Sequence, residues 1–275
     1  GFKVSDPERW HTAPERHWEW KAHTSSDEIT AHTFAYAALL EAAARTPAER
    51  TRIAAVYDRI LSHIVRNNFY LIDVDGQPTL WGRWNPEYVN SYPPTIVDRR
   101  LNSAEIIAFL EFGYHTTRNE LYKTKAFELM RNHGYLQNIT NSMAQIRATP
   151  GFVFRGNDMG DEWNHSDDEL AFHTYWTLYR FAFDDHLRTV FAAAIRDHWQ
   201  LEKVERNPLW SFVYAGTGAQ QFELENALWT LRMFPLDLVD WTVRNSHRRD
   251  LTRLPPNFRG QETAELLPAD ERPIM

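Results

Sequence analysis

The chain has 275 residues, enough for one large domain or two small ones, and carries a formal net charge of −7 from 37 acidic and 30 basic residues. An acidic chain without a long basic run is poorly suited to nucleic acid, and no stretch approaches the ~20 consecutive apolar residues that cross a membrane. The absence of cysteine excludes disulfides, thiol catalysis and thiolate zinc sites.

The first half of the chain carries regular helix signals after a segment, 1–17, that we expect to be peripheral. Because the sequence starts with Gly1 rather than Met, we expect a processed protein or a piece of a longer one. Capping boxes predict helix starts at Ser25 and Thr46, each followed three residues later by Glu. The Asp-Gly step in "YLIDVDGQPTLWGRW", residues 70–84, predicts a β-hairpin. Asn102 and Thr117 are predicted to open two further helices in the same way.

The second half repeats these signals after a Gly-rich, acidic loop at 148–163. Ser166 is predicted to start a helix by another capping box, Asp184 caps the next one, and Asn207 before Pro208 starts a third. A last helix is predicted over 222–233, and the Pro-rich tail, 254–275, is expected to be peripheral.

These elements predict an all-α protein of about eight helices in antiparallel pairs with one β-hairpin insertion. A helical bundle satisfies this pattern, and so does an α/α toroid, in which inner and outer helices alternate around an axis. Helix pairs of roughly 35–45 residues and a repeated cap motif favour the toroid, complete or partial, as a single domain over 1–275.

One motif occurs twice: "HTSSDEITAHTF" at 23–34 and "NHSDDELAFHTY" at 164–175. Capping needs only the Ser and the Glu, so ordinary helix starts compete with a functional role for the other residues. If both helices begin at one rim, their acidic residues meet in one cleft. The candidate catalytic residues are therefore Asp27, Glu28, Asp168, Glu169 and, beside them, His165.

The position of these carboxylates restricts their roles. A carboxylate in the first turn of a helix is stabilised as the anion, so we expect a lowered pKa. Such a group suits a general base, a nucleophile or a metal ligand. The general acid must then come from elsewhere, or from a carboxyl group whose pKa is raised by like-charged neighbours.

The motif also places a His four residues after each Glu, on the same helix face. Such residues can be structural, but together they offer mixed nitrogen and oxygen ligands. His32 and His173 are the candidate ligands of a divalent metal, which is the candidate cofactor.

Clustered aromatic and basic residues suggest a sugar-binding cleft, because flat apolar faces stack on pyranose rings and Arg pairs with carboxylates. The alternative is that these residues pack in the core or lie in solvated loops. The candidate substrate-binding residues are Trp20, Trp81, Trp84, Trp163, Asn164, Arg206, Trp210, Arg244 and His247.

Six segments carry a family resemblance: "WKAHTSSDEITAH", "DGQPTLWGRWNP", "LNSAEIIAFLEFGYHTT", "WNHSDDELAF", "ERNPLW" and "FPLDLVDWTVRNSHRRD". Over most of 18–250 the chain resembles bacterial α/α-toroid proteins of the six-hairpin glycosidase-like kind. The resemblance implies a toroid fold, carbohydrate chemistry and a secreted or periplasmic location, but no catalytic residue is transferred from it. At 275 residues the chain is short for six helix pairs.

Three functions follow as hypotheses. The first is a glycoside hydrolase or a lyase acting on an oligo- or polysaccharide that contains uronate. The second is a metal-dependent enzyme with a His and carboxylate centre. The third is a non-catalytic sugar-binding module, in which the carboxylates only cap helices.

Overall fold

The computed structural model describes residues 10–146, 149–154, 156–158 and 165–233, and within them the chain is mainly helical. The helices are α1 Ser26–Ala38, α2 Pro47–Arg66, α3 Pro86–Val89, α4 Val97–Thr117, α5 Glu120–Asn132, α6 Tyr135–Thr140, α7 His165–Arg180, α8 Asp185–Glu202, α9 Pro208–Ala215 and α10 Leu224–Met233. A π-helical turn, Leu39–Ala43, extends α1. The all-α class is therefore confirmed, while a closed ring of helix pairs stays a prediction.

Within the described ranges, the strands form three separate antiparallel hairpins: β1 Trp10–Thr12 with β2 Glu19–Lys21, β3 Tyr70–Ile72 with β4 Pro78–Arg83, and β5 Val153–Phe154 with β6 Asn157–Asp158. The hairpin predicted at 70–84 is confirmed as β3–β4. The other two were not predicted, because strands of two or three residues are too short to show an alternating pattern.

Helix α4 is the centre of the molecule, since every residue from Arg100 to Gly113 is buried. The prediction that this helix opens at Asn102 is wrong, because α4 begins at Val97. The Asn102 side chain donates a hydrogen bond to the backbone carbonyl oxygen of Asp98 at 2.8 Å, one turn earlier in the helix. Polar side chains that bond back in this way are compatible with a helix interior. The earlier start places Glu105 in the third turn, where it faces the core rather than a cap.

Helices α1, α4 and α7 run parallel and pack on one another. Between α1 and α4, Thr30 in the second turn of α1 donates a hydrogen bond to Glu105 in the third turn of α4. Between α1 and α7, the Phe34 ring lies 5.4 Å from that of Trp176. Between α4 and α7, the ring of Phe112 lies 5.0 Å from that of Phe181, near the end of both helices.

Along α1, with its π-helical turn, and α7 the contacts advance together, from Phe34 with His173 at 4.6 Å to Glu41 with Arg180 at 2.6 Å. Charges from the first turns of α1 and α7 both act on Glu105 of α4, so the three helices begin at the same end of the molecule.

The remaining long helices pack outside this trio. Helices α2, α5 and α6 contact α4, and α8 contacts α7. Each of α2, α5 and α8 directly follows a central helix through a short connection, which is typical of antiparallel pairs. Among the helices that the structure describes, none is long and apolar enough to span a membrane.

Candidate functional site

The first turn of each of the three parallel helices contributes an aspartate at this end of the molecule: Asp27 from α1, Asp98 from α4 and Asp167 from α7. The second aspartate of the first turn of α7, Asp168, lies between α7 and α8. Beneath them lies Glu105, whose pKa is raised by burial and further by the negative charges of Asp27 and Asp167. We call Asp27, Asp98, Asp167 and Glu105 the acidic rim. The charges of carboxyl groups from two related helices thus both act on Glu105, although the second helix contributes Asp167.

Glu105 is the fully buried member of the acidic rim. Its Oε2 accepts a hydrogen bond from Trp84 Nε1 at 2.7 Å, and its Oε1 accepts one from Thr30 Oγ1 at 2.9 Å. Burial raises the pKa of Glu105 to about 8 against the lowering effect of these two bonds. Glu105 is therefore mostly neutral at pH 7.

Asp98 is partly exposed, but its carboxyl group is crowded enough that desolvation raises its pKa to about 6. Beside it, Tyr92 is buried and shares a hydrogen bond with Tyr88, with 2.7 Å between the hydroxyl oxygens. Burial and the charge of Asp98 raise the pKa of Tyr92, so this phenol keeps its proton. A carboxyl group that releases its proton near pH 6 fits a general acid.

The first copy of the repeated motif is the capping box that the sequence predicts, with Ser25 as the N-cap of α1. Partial burial raises the pKa of Glu28, but hydrogen bonds from Ser25 outweigh it and leave the pKa lowered. The pKa of the adjacent Asp27 is instead raised, first by desolvation and then by the charge of Glu28. The prediction of a lowered pKa is thus correct for Glu28 and wrong for Asp27, where desolvation exceeds the effect of the helix dipole.

The second copy differs from the first. Helix α7 begins at His165, so Ser166 lies inside it rather than at its N-cap. The Glu169 carboxylate accepts hydrogen bonds from Trp210 Nε1 at 2.6 Å and from Asn207 Nδ2 at 3.1 Å. Glu169 therefore fastens α7 to the start of α9 and does not complete a capping box.

Asp168 is buried between α7 and α8, on a different face of α7 from Asp167. Its Oδ1 lies 2.9 Å from His198 Nε2, and Glu202 lies one turn beyond His198 on α8. Donor atoms of all three residues lie within 4.8 Å of one another. Burial lowers the pKa of His198, against the raising effect of Asp168. This group could hold a metal ion.

The predicted metal ligands, His32 and His173, do not belong to this group. His32 is exposed, and its Nδ1 lies 2.6 Å from the backbone oxygen of Glu28. His173 Nε2 lies 4.0 Å from Glu169 Oε1, against the ring of Phe34 at 4.6 Å. Within the described ranges, no third His or carboxylate donor joins either pair in a metal-binding group. His32 and His173 therefore lack the three converging donor groups that Asp168, His198 and Glu202 provide.

The predicted sugar-binding aromatics are divided between core and surface. Trp84 and Trp210 are buried and donate to Glu105 and Glu169, so they offer no free face to a sugar ring. Trp20 in β2 is 40% exposed, and Trp81 in β4 is half-buried. These two keep an accessible surface.

Arg206 follows α8 in a left-handed conformation, and its guanidinium lies 5.1 Å from the centre of the Trp229 ring. Trp163, Asn164, Arg244 and His247 lie outside the described residues, as does the side chain of His165. The roles of these five residues stay predictions from the sequence.

A surface groove of about 710 Å³ lies along α8 and α9, away from the acidic rim, and its lining includes Ala193, Arg196, Asp197 and Tyr214. Asp197 is held by Arg100 at 2.8 Å, and hydrogen bonds lower its pKa although burial opposes them. A carboxylate that is paired with Arg100 and has a lowered pKa, on a mostly apolar lining, offers less acid–base chemistry than the acidic rim.

Sequence reasoning missed Asp98, Glu105, Asp167, His198 and Glu202. Two signals were available. Asp98 and Glu105 are seven positions apart, which places them on one helix face, and His198 and Glu202 have the same four-residue spacing as the motif.

Comparison with protein-family models, with curated proteins and with solved structures gives no match to this chain. The resemblance to six-hairpin glycosidase-like toroids therefore stays a prediction, and function has to be argued from the site.

Proposed function

We propose that the chain is a carbohydrate-active enzyme, a glycoside hydrolase whose acid and base belong to the acidic rim. The supporting observation is a set of neighbouring carboxyl groups in unequal environments. Burial raises the pKa of Asp98 to about 6 and that of Glu105 to about 8. Glycoside hydrolysis needs one carboxyl group that donates a proton and a second that acts as an anion.

Three members of the acidic rim have roles that their exposure allows. Asp98 is partly exposed and donates a proton to the leaving oxygen of the glycosidic bond. Asp27 is exposed and, as the anion, activates water or attacks the sugar. Glu105 cannot touch substrate because it is fully buried, so it is a positioning residue for Trp84 and Thr30.

A lyase needs groups that neutralise a uronate, and the candidates for that role, Asn164 and Arg244, lie outside the described residues. The described rim is acidic, which favours hydrolysis over proton abstraction beside a carboxylate. A uronate in the substrate remains a prediction from the sequence.

The test is a screen of tag-free protein against neutral and uronate-containing oligosaccharides, following new reducing ends and the absorbance of unsaturated products. We expect reducing ends without unsaturation. Asp98→Asn should lower kcat by roughly 100-fold or more, because the proton donor is lost. Its melting temperature should not fall, since burial disfavours the charged form of Asp98.

Asp185→Asn is the matched control, because Asp185 is an exposed aspartate in the first turn of α8 and should leave kcat unchanged. Unsaturated products would indicate a lyase, and binding without turnover would indicate a sugar-binding module. Wild-type kcat in Asp98→Asn would exclude Asp98 as the acid.

A further inference from the structure

Three side chains with metal-binding atoms converge in the contact between α7 and α8, apart from the acidic rim. Asp168 comes from the first turn of α7, and His198 and Glu202 come from one face of α8. All three are almost completely buried, with exposed fractions of 3%, 0% and 2%. Carboxylates are rarely buried to this degree unless they are paired or bound to a metal.

We infer that Asp168, His198 and Glu202 bind a divalent transition metal ion, with Zn²⁺ as the first choice. One imidazole nitrogen and two carboxylates form a mixed nitrogen and oxygen set, which zinc accepts and in which the imidazole disfavours Mg²⁺ and Ca²⁺. Binding of this ion does not depend on the proposed hydrolysis.

The distances require little rearrangement. His198 Nε2 and Asp168 Oδ1 are 2.9 Å apart, and ligand atoms at ~2.1 Å from a tetrahedral zinc ion are about 3.4 Å apart. The three donor atoms lie within 4.8 Å of one another, so each pair is within about 1.4 Å of the tetrahedral separation. Because His198 and Glu202 are one helical turn apart, side-chain rotations suffice for such shifts.

A neighbouring hydroxyl group can orient the imidazole. The Oη of Tyr175 lies 3.0 Å from His198 Nδ1, and Tyr175 is itself buried. When His198 Nε2 binds the metal, Nδ1 keeps its hydrogen and donates it to Tyr175. Metal-ligating histidines are usually oriented through the second ring nitrogen in this way.

The site would fasten the first turn of α7 to the last turn of α8. Asp168 is adjacent to Asp167 of the acidic rim, so the metal would also fix the backbone that presents Asp167. The ion therefore has a structural role, and its binding should stabilise the folded state by mass action.

The experiment uses the full chain without a His-tag, treated with a chelator and then titrated at pH 7 with Zn²⁺, Mn²⁺ or Mg²⁺. Calorimetry gives stoichiometry and affinity, and thermal unfolding gives the shift in Tm. We expect one equivalent of Zn²⁺ to bind and to raise Tm by several degrees, with weaker binding of Mg²⁺.

Substitutions distinguish zinc binding at this buried site from zinc binding at the exposed histidines. Glu202→Gln should lower Zn²⁺ affinity at least about 100-fold, and Tyr175→Phe should lower it roughly 10- to 100-fold while all three ligands remain. Glu111→Gln is the matched control, since Glu111 is an equally buried carboxyl group on α4. His32→Gln and His173→Gln should also keep the affinity.

The inference is overturned if no equivalent of Zn²⁺ binds, or if Glu202→Gln and Tyr175→Phe bind it as tightly as the wild type. Loss of binding in His32→Gln or His173→Gln, with Glu202→Gln unaffected, would assign the metal to the exposed histidines. If Glu202→Gln does not fold by circular dichroism, the Tyr175→Phe affinity decides.

Discussion

Glu28 and Glu105 are glutamates near the same end of the molecule, but their pKa values shift in opposite directions. Glu28 is exposed, and hydrogen bonds from Ser25 outweigh its partial desolvation and lower its pKa. Glu105 is fully buried, and desolvation raises its pKa to about 8 despite two hydrogen bonds. At the residue scale, solvent access therefore decides which carboxyl groups can donate a proton near neutral pH.

Replacing Glu105 by Gln should change how stability depends on pH. In the folded wild type Glu105 keeps its proton up to about pH 8, whereas in the unfolded chain the same side chain loses it near pH 4.5. The free energy of unfolding therefore falls as the pH rises from about 4.5 to about 8. The slope from this group is at most about 1.4 kcal/mol per pH unit. Glu105→Gln removes this loss, so its stability relative to the wild type should rise from pH 5 to pH 8 in urea unfolding.

Glu49→Gln is the control for that experiment. Glu49 belongs to the capping box of α2, and hydrogen bonds from Thr46 and Arg45 lower its pKa. Its contribution is present above pH 4.5 and is lost as the solution becomes more acidic. The difference in free energy of unfolding between Glu49→Gln and the wild type should therefore stay constant from pH 5 to pH 8. A constant difference between Glu105→Gln and the wild type would contradict the raised pKa of Glu105.

At the element scale, close packing around α4 depends on Gly113. A Cβ atom added there would lie 2.1 Å from Leu61 Cδ2 of α2 and 3.1 Å from Tyr122 Cδ2 of α5. Leu61 and Tyr122 are themselves buried. Gly113 therefore lets α4 approach two neighbouring helices at once, despite the poor helix propensity of glycine.

Gly113→Ala should lower the free energy of unfolding by about 1–3 kcal/mol, because the core is overpacked. Helix propensity alone predicts the opposite sign, a gain of about 1 kcal/mol. Urea unfolding of Gly113→Ala, Leu61→Ala and the double variant gives a double-mutant cycle. The loss of unfolding free energy caused by Gly113→Ala should be smaller in the Leu61→Ala background. An equal loss in both backgrounds would show that the added Cβ does not clash with Leu61.

The two motif copies show what the sequence could and could not predict about elements. Local signals predicted the starts of α1, α2, α8 and α9 correctly, because a cap involves only residues within one turn. The capping box predicted for the second copy does not form, because the hydrogen-bond partners of Glu169 are Asn207 and Trp210, about forty positions away. Tertiary contacts replaced the local one, and no local pattern indicates such a contact.

At the scale of the whole molecule, the parallel packing of α1, α4 and α7 forms the candidate site. The repeated motif led to the hypothesis that two helices bring Asp27, Glu28, Asp168 and Glu169 to one cleft, whereas in the structure it is the charges of Asp27 and Asp167 that act on Glu105. The third helix was not predicted to contribute, because a start at Asn102 leaves Asp98 outside the helix. The relative rotation of α7 also decides that Asp167, and not Asp168, faces Glu105, and this depends on packing that the sequence does not show.

Hydrolysis of a glycosidic bond by the acidic rim can be tested through the pH dependence of kcat/KM on the oligosaccharide that gives the most product. Asp98 must be protonated to act as the acid, so kcat/KM should fall as pH rises through about 6. That alkaline limb should disappear from the residual rate of Asp98→Asn and remain in Asp185→Asn. No turnover on any oligosaccharide would contradict the proposed hydrolysis, and an alkaline limb that persists unchanged in Asp98→Asn would contradict Asp98 as the proton donor.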